Sequence, residues 1–140
     1  MKTEDWLARV RGIDQDIQWL QKEYRKALEQ ATGTTVQVFG EKVQSGSGNR
    51  TEDKLLRVSD YATEIKAALE EKQKIKQEVF RVIEKVGNVD QRLLLRMYYI
   101  DGKAWEDVAD EIARSPSYVK GPLRKAAIEK VQRIREQYSL

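Results

Sequence analysis

The sequence predicts an all-α fold: a long two-helix antiparallel coiled hairpin followed by a C-terminal three-helix helix-turn-helix. Three observations lead there. Apolar residues recur at gaps of mostly three and four through two long segments, the spacing of one helix face. A Gly/Ser-rich stretch separates those segments. Beyond them, capping residues and turn pairs follow at short intervals (Asn88, Asp101-Gly102, Ser115-Pro116), as they do between short helices.

The first helix is expected from Thr3 to about Ala31, with Trp6, Val10, Ile13, Ile17, Leu20, Tyr24, Leu28 and Ala31 forming a seam close to a heptad repeat. Thr3 reads as its N-cap, with Glu4 and Asp5 facing the positive end of the helix dipole. Residues 32–51 contain four glycines and many Ser, Thr and Asn, and are expected to form a linker. Val36, Val38 and Phe39 would make a short extended piece within it.

The second helix is expected from Glu52 to Val86, on the stripe Leu55, Val58, Ala62, Ile65, Leu69, Val79, Ile83 and Val86. Lys72 and Lys76 occupy the register positions between Leu69 and Val79, which weakens the seam unless Ile75 shifts the face. Two such amphipathic helices cover their stripes by packing antiparallel or by associating with a second copy. Residues 1–86 are therefore expected to form the hairpin domain and 87–140 a second domain.

In the second domain Asn88 reads as a cap, with Gln91 three positions later completing a capping-box-like pair. The helix that follows is expected to bury some of Leu93, Leu94, Met97, Tyr98 and Ile100 before stopping at Asp101-Gly102. A short helix then carries Trp105, Val108, Ala109 and Ile112 on one face. Ser115 caps the last helix, with Pro116 at its first position, where a missing N–H costs nothing. Three short helices on tight turns have the layout of a helix-turn-helix.

Composition narrows the chemistry. The chain has no Cys and no His, so disulfides are impossible and the commonest metal ligands and general base are missing. The expectation is no enzymatic activity, no metal and no cofactor. No apolar run is long enough to span a membrane, and MKTEDW lacks the apolar segment of a signal peptide, so a cytoplasmic protein is expected. The formal charge is only +3, but it is unevenly placed. Between Arg114 and Arg135 stand seven cations (Arg114, Lys120, Arg124, Lys125, Lys130, Arg133, Arg135) against the single acid Glu129. The preceding short helix carries Glu106, Asp107, Asp110 and Glu111. A basic last helix behind an acidic one suits a partner rich in phosphates.

The stretch RLLLRMYYIDGKAWEDVADEIARSPSYVK resembles region four of sigma-70-type factors. The resemblance rests on an arginine-leucine helix, the turn Tyr99-Ile100-Asp101-Gly102, the run Trp105-Glu106-Asp107-Val108-Ala109, and Ser115-Pro116-Ser117-Tyr118-Val119. With the long helices and the linker in front, the whole chain is similar to phage and prophage regulators of the ArpU/RinA type. That resemblance implies a transcriptional regulator of late phage genes in a bacterial host cell, binding double-stranded DNA through a region-four-like unit. It does not imply a complete sigma factor. Arg114, Ser115, Lys120, Arg124 and Lys125 would then contact phosphates, and Ser117 and Tyr118 would read base edges, with packing the alternative role for Tyr118. A homodimer would present two such units to adjacent half-sites, and host RNA polymerase is a further candidate partner. Two other readings stand beside this one: a small-terminase-like DNA-packaging protein, and a protein that contacts RNA polymerase or a sigma factor without binding DNA.

Two departures from the pattern carry expectations. Ala104 stands where such sequences place Ser or Thr, so the middle helix lacks a side-chain cap. Gly121-Pro122 lies inside the last helix, which is expected to kink or split there.

Overall fold

The computed structural model describes residues 1–33 and 47–140, and all regular structure among them is helical. Helix α1 spans Thr3–Thr32 and α2 spans Ser47–Ile83. Helix α3, Val89–Leu95, runs on into a π-turn at Arg96–Ile100. Helix α4 is Trp105–Ile112. The single turn α5, Pro116–Tyr118, leads through a second π-turn, Val119–Leu123, into α6, Arg124–Gln137. The described residues make an all-helical structure, and the two long N-terminal helices pack together. The extended piece expected at Val36, Val38 and Phe39 lies outside the described residues.

Helix α2 starts earlier than its sequence suggests. Ser47 to Thr51, expected as linker, are helical and include Gly48. Propensity scores each residue alone, whereas extending an existing helix gains one hydrogen bond per residue fixed, which offsets the roughly 1 kcal/mol cost of a helical glycine.

The chain divides into two compact units, Asp14–Glu71 and Met1–Ile13 with Lys72–Leu140. In the first, Ile17 and Ala27 are buried, with Leu20, Tyr24, Val58, Tyr61, Ile65 and Ala68 half-buried. The seam of α2 therefore passes through Tyr61 and Ala68, one position before the expected Ala62 and Leu69. Leu55, Ala62 and Leu69 face solvent. In the second unit Lys72, Ile75 and Lys76 are half-buried and Val79, Val82 and Ile83 are buried, so Ile75 widens the face and does not move it off the lysine register.

The second unit contains an apolar core to which every helical element except the single turn α5 contributes. Trp6, Leu7 and Val10 of α1 meet Val79, Val82 and Ile83 from the end of α2 and Val86 just beyond it. Because the start of one helix meets the end of the other, the two run antiparallel here, and Arg9 pairs with Glu78 at 3.2 Å. Leu94, Leu95, Met97 and Tyr99 join from α3 and its π-turn, Val108 and Ala109 from α4, and Val119, Leu123, Ala127 and Val131 from the last helical run. Each fully buried Leu or Ile stabilises by about 1.5–3 kcal/mol relative to exposure. A cut between residues 86 and 87 would divide this core.

Local chemistry accounts for most element boundaries. The Oδ1 of Asn88 accepts from the Gln91 N–H at 2.9 Å, so the cap forms as its sequence suggests. The reciprocal half does not, since Gln91 Oε1 is buried without a hydrogen-bond partner. Thr3 is not the N-cap of α1. The Trp6 N–H bonds to the Lys2 carbonyl at 2.9 Å, which places Thr3 inside the helix, and its hydroxyl instead accepts from Arg135 at 3.2 Å. Gly102 reverses the chain after the first π-turn at φ +73°, and the Lys103 N–H returns to the Met97 carbonyl at 3.0 Å.

The last helical run passes Pro122 without splitting. The Arg124 N–H bonds back to the Val119 carbonyl, a five-residue span that widens the turn around a ring no α-helix interior accepts unstrained. The wide turn also keeps Val119 and Leu123 buried together. A one-residue expansion, itself a recognised source of helix bending, is the form that the expected disturbance takes, and the run is not split.

Candidate nucleic-acid interface

Helix α4 ends at Ala113, which adopts the left-handed conformation at φ 62° and serves as the C-cap. The Arg114 N–H reaches back to the Ala109 carbonyl at 3.1 Å, closing the turn by the six-to-one bond of a Schellman motif. Only Ala113, Arg114 and Ser115 separate α4 from α5. Ser115 Oγ accepts from the Tyr118 N–H at 3.2 Å, leaving the hydroxyl proton of Ser115 free to donate outward.

Of the residues expected at the interface, Arg114, Ser115, Ser117, Tyr118, Lys120 and Lys125 are all exposed. Arg114 sits 5.8 Å from the centre of the Tyr118 ring, and that ring is 40% exposed. A half-open aromatic beside a guanidinium suits stacking or base-edge contact better than core packing. Lys120 and Lys125 make no ion pair among the described residues, and neither do the exposed Lys130 and Arg133 further along α6.

Arg124 stands apart from this group. It is half-buried and donates through Nη2 to Glu4 Oε2 at 2.8 Å, with the Trp105 ring 6.0 Å from its guanidinium carbon. Burial disfavours its charge, but the neighbouring Tyr99 and Glu4 more than compensate, and its pKa is raised. Burial raises the pKa of the Tyr99 hydroxyl above its ordinary value, partly offset by Arg124. Arg135 is also directed inward, to the Thr3 hydroxyl and the Trp6 ring. Two of the seven cations of this stretch therefore hold the start of α1 against α6. The other five, Arg114, Lys120, Lys125, Lys130 and Arg133, face solvent.

A layered stack fixes the angle between the helices that carry the turn. Tyr98 and Trp105 lie face to face, 3.7 Å apart and 12° from parallel. Arg11 covers the Tyr98 ring at 4.3 Å and donates to the Tyr98 carbonyl at 2.9 Å. Tyr99 meets Tyr98 edge-on at 4.9 Å. Such contacts contribute about 0.5–1.5 kcal/mol each beyond their buried area. They hold α4 rigidly on α3, which a surface read by geometry requires. Nothing in the local sequence marks Arg11 or Arg124 for this work, because their partners lie far away along the chain.

The site offers cations, hydroxyls and one aromatic ring on a rigid turn. Among the described residues, no cluster of carboxylates could hold a metal ion, and no helix is long and apolar enough to cross a membrane. A protein-family model matches residues 33–131, and the chain belongs to that family, described as a protein of unknown function (DUF1492). No curated protein and no solved structure matches the chain.

Proposed function

We propose that this DUF1492 protein is a sequence-specific DNA-binding transcriptional regulator of the phage or prophage type, reading DNA through a region-four-like helix-turn-helix. One observation carries the reading. The three-residue turn after acidic α4 opens onto a face whose exposed charges, Arg114, Lys120 and Lys125, are all positive and free of ion pairs among the described residues. Phosphates supply the counter-charge that this face lacks within the chain. In this reading Arg114, Ser115, Lys120 and Lys125 position the protein on the backbone, and Ser117 and Tyr118 approach base edges in the major groove. Arg124 supports the turn from behind, through Glu4 and Trp105. A dimer would let two turns meet successive half-sites.

The test uses the full chain. Duplexes enriched from a random pool by repeated selection on the protein are compared with unselected duplexes by fluorescence anisotropy at fixed salt. The reading expects a preference of at least about a thousandfold for the selected sequence. Equal affinity for both pools would remove the sequence-specific role, and no binding at low salt would remove DNA binding altogether.

A further inference from the structure

A second exposed surface lies at the other end of α6 from the turn. Phe80 and Val82 near the end of α2, with Tyr138 just past α6, line an open cleft of about 630 Å³. Phe80 is 43% exposed and Tyr138 is 50% exposed, an unusual pairing of half-open aromatics around one apolar floor. Arg81, in the last turn of α2, and Lys85, in the turn that follows it, stand on its rim. The Lys85 ammonium lies 4.6 Å from the centre of the Tyr138 ring. The acidic side chain that lines this cleft, Glu84, is bonded to Arg96, whose guanidinium reaches toward Phe80 at 5.9 Å. Arg81 and Lys85 make no ion pair among the described residues, so the rim carries uncompensated positive charge over an apolar floor.

We propose that this cleft is a docking site for an acidic amphipathic helix of a partner protein. A bulky apolar side chain of that helix would insert between Phe80 and Tyr138, and its carboxylates would face Arg81 and Lys85. An apolar anchor in a pocket with opposite charge on the rim is the recognition mode of a helix laid in a groove. The site is distinct from the DNA face. Tyr138 stands thirteen residues beyond Lys125, about 20 Å at the rise of an α-helix. A regulator able to engage DNA and a protein at once would need two such separated surfaces.

The experiment uses the full chain and a fluorescein-labelled synthetic peptide. The peptide places Leu and Phe at i, i+3 and i+7 on one helical face and Glu on the others. Saturable binding is expected, weakened at least tenfold by Phe80→Ala and by the double variant Arg81→Glu/Lys85→Glu. Unchanged thermal unfolding is the check on each variant, and the two rim substitutions, at exposed positions, remain informative if Phe80→Ala unfolds. A matched peptide with Lys in place of Glu should not bind. Equal binding by the charge-reversed protein, equal binding of the Lys peptide, or no binding at millimolar peptide would each overturn the proposal. So would retention on phosphatidylglycerol vesicles without peptide binding. DNA affinity measured on the same variants separates the two surfaces: its persistence when peptide binding is lost is expected, and its absence in the wild type bears on the DNA reading alone.

Discussion

The Arg124 guanidinium donates to Glu4 at 2.8 Å across a sequence separation of 120 residues, joining the first turn of α1 to the first turn of α6. The pair is partly open to solvent, so its own contribution is about 0–1 kcal/mol. More rests on Arg124 as a packed side chain against Trp105 and Tyr99. Arg124→Ala should lower the melting temperature, whereas Glu4→Gln should change it by little. Neither should alter the salt dependence of DNA binding, because in this account Arg124 is turned away from the phosphates. A reduced salt slope in Arg124→Ala would return that residue to the DNA face.

Ala113 holds a left-handed conformation that favours glycine. Ala113→Gly relieves that strain and should stabilise the protein by about 1 kcal/mol. Thermal unfolding should show a rise of about 2–8 °C. A fall in melting temperature would mean that the methyl group contributes packing greater than the strain it imposes.

Tyr99 ties stability to alkaline pH. Burial raises its pKa above the unfolded value near 10, so the folded state holds the hydroxyl proton more tightly. The resulting stabilisation is fully present below pH 10 and is lost as pH rises through 10 and toward the folded pKa. Denaturant unfolding at pH 8 to 11 should therefore show a steeper decline for wild type than for Tyr99→Phe. Parallel declines would show that Tyr99 titrates alike in both states.

Leu94 lies at the centre of the core formed by α1, the end of α2 and the C-terminal helices. Leu94→Ala should cost about 2–5 kcal/mol and should weaken DNA binding only through unfolding. Urea midpoints measured beside DNA affinity under native conditions separate those effects.

Much of the architecture was legible because it rests on local chemistry. The caps Asn88 and Ser115, the stop at Asp101-Gly102 and the apolar stripe of α1 as far as Tyr24 all follow from neighbouring residues, whereas beyond Tyr24 the burial falls on Ala27 and leaves the expected Leu28 exposed. What was illegible depends on partners distant in sequence. The seam of α2 runs through Tyr61 and Ala68 instead of Ala62 and Leu69, because several stripes lie within one helical step of each other. Thr3 looked like a cap until Arg135 supplied its partner. The π-turn at Arg96–Ile100 has no local signal, whereas Gly121-Pro122 announced a disturbance without its form. At the candidate site, charge counting located the basic stretch but could not separate Arg124 and Arg135, which bond within the chain, from the exposed cations that do not.

The most direct measurement of the DNA-binding account is the salt dependence of duplex affinity for wild type and for Arg114→Ala/Lys120→Ala/Lys125→Ala. Each lost phosphate contact removes about 0.9 from the magnitude of the log–log slope, so the triple variant should lose about 2.7 while unfolding at the wild-type temperature. The reduction should be the same on selected and random duplexes, since phosphate contacts position without reading sequence. An unchanged slope in a folded triple variant would contradict the account and place the DNA, if any is bound, elsewhere on the molecule.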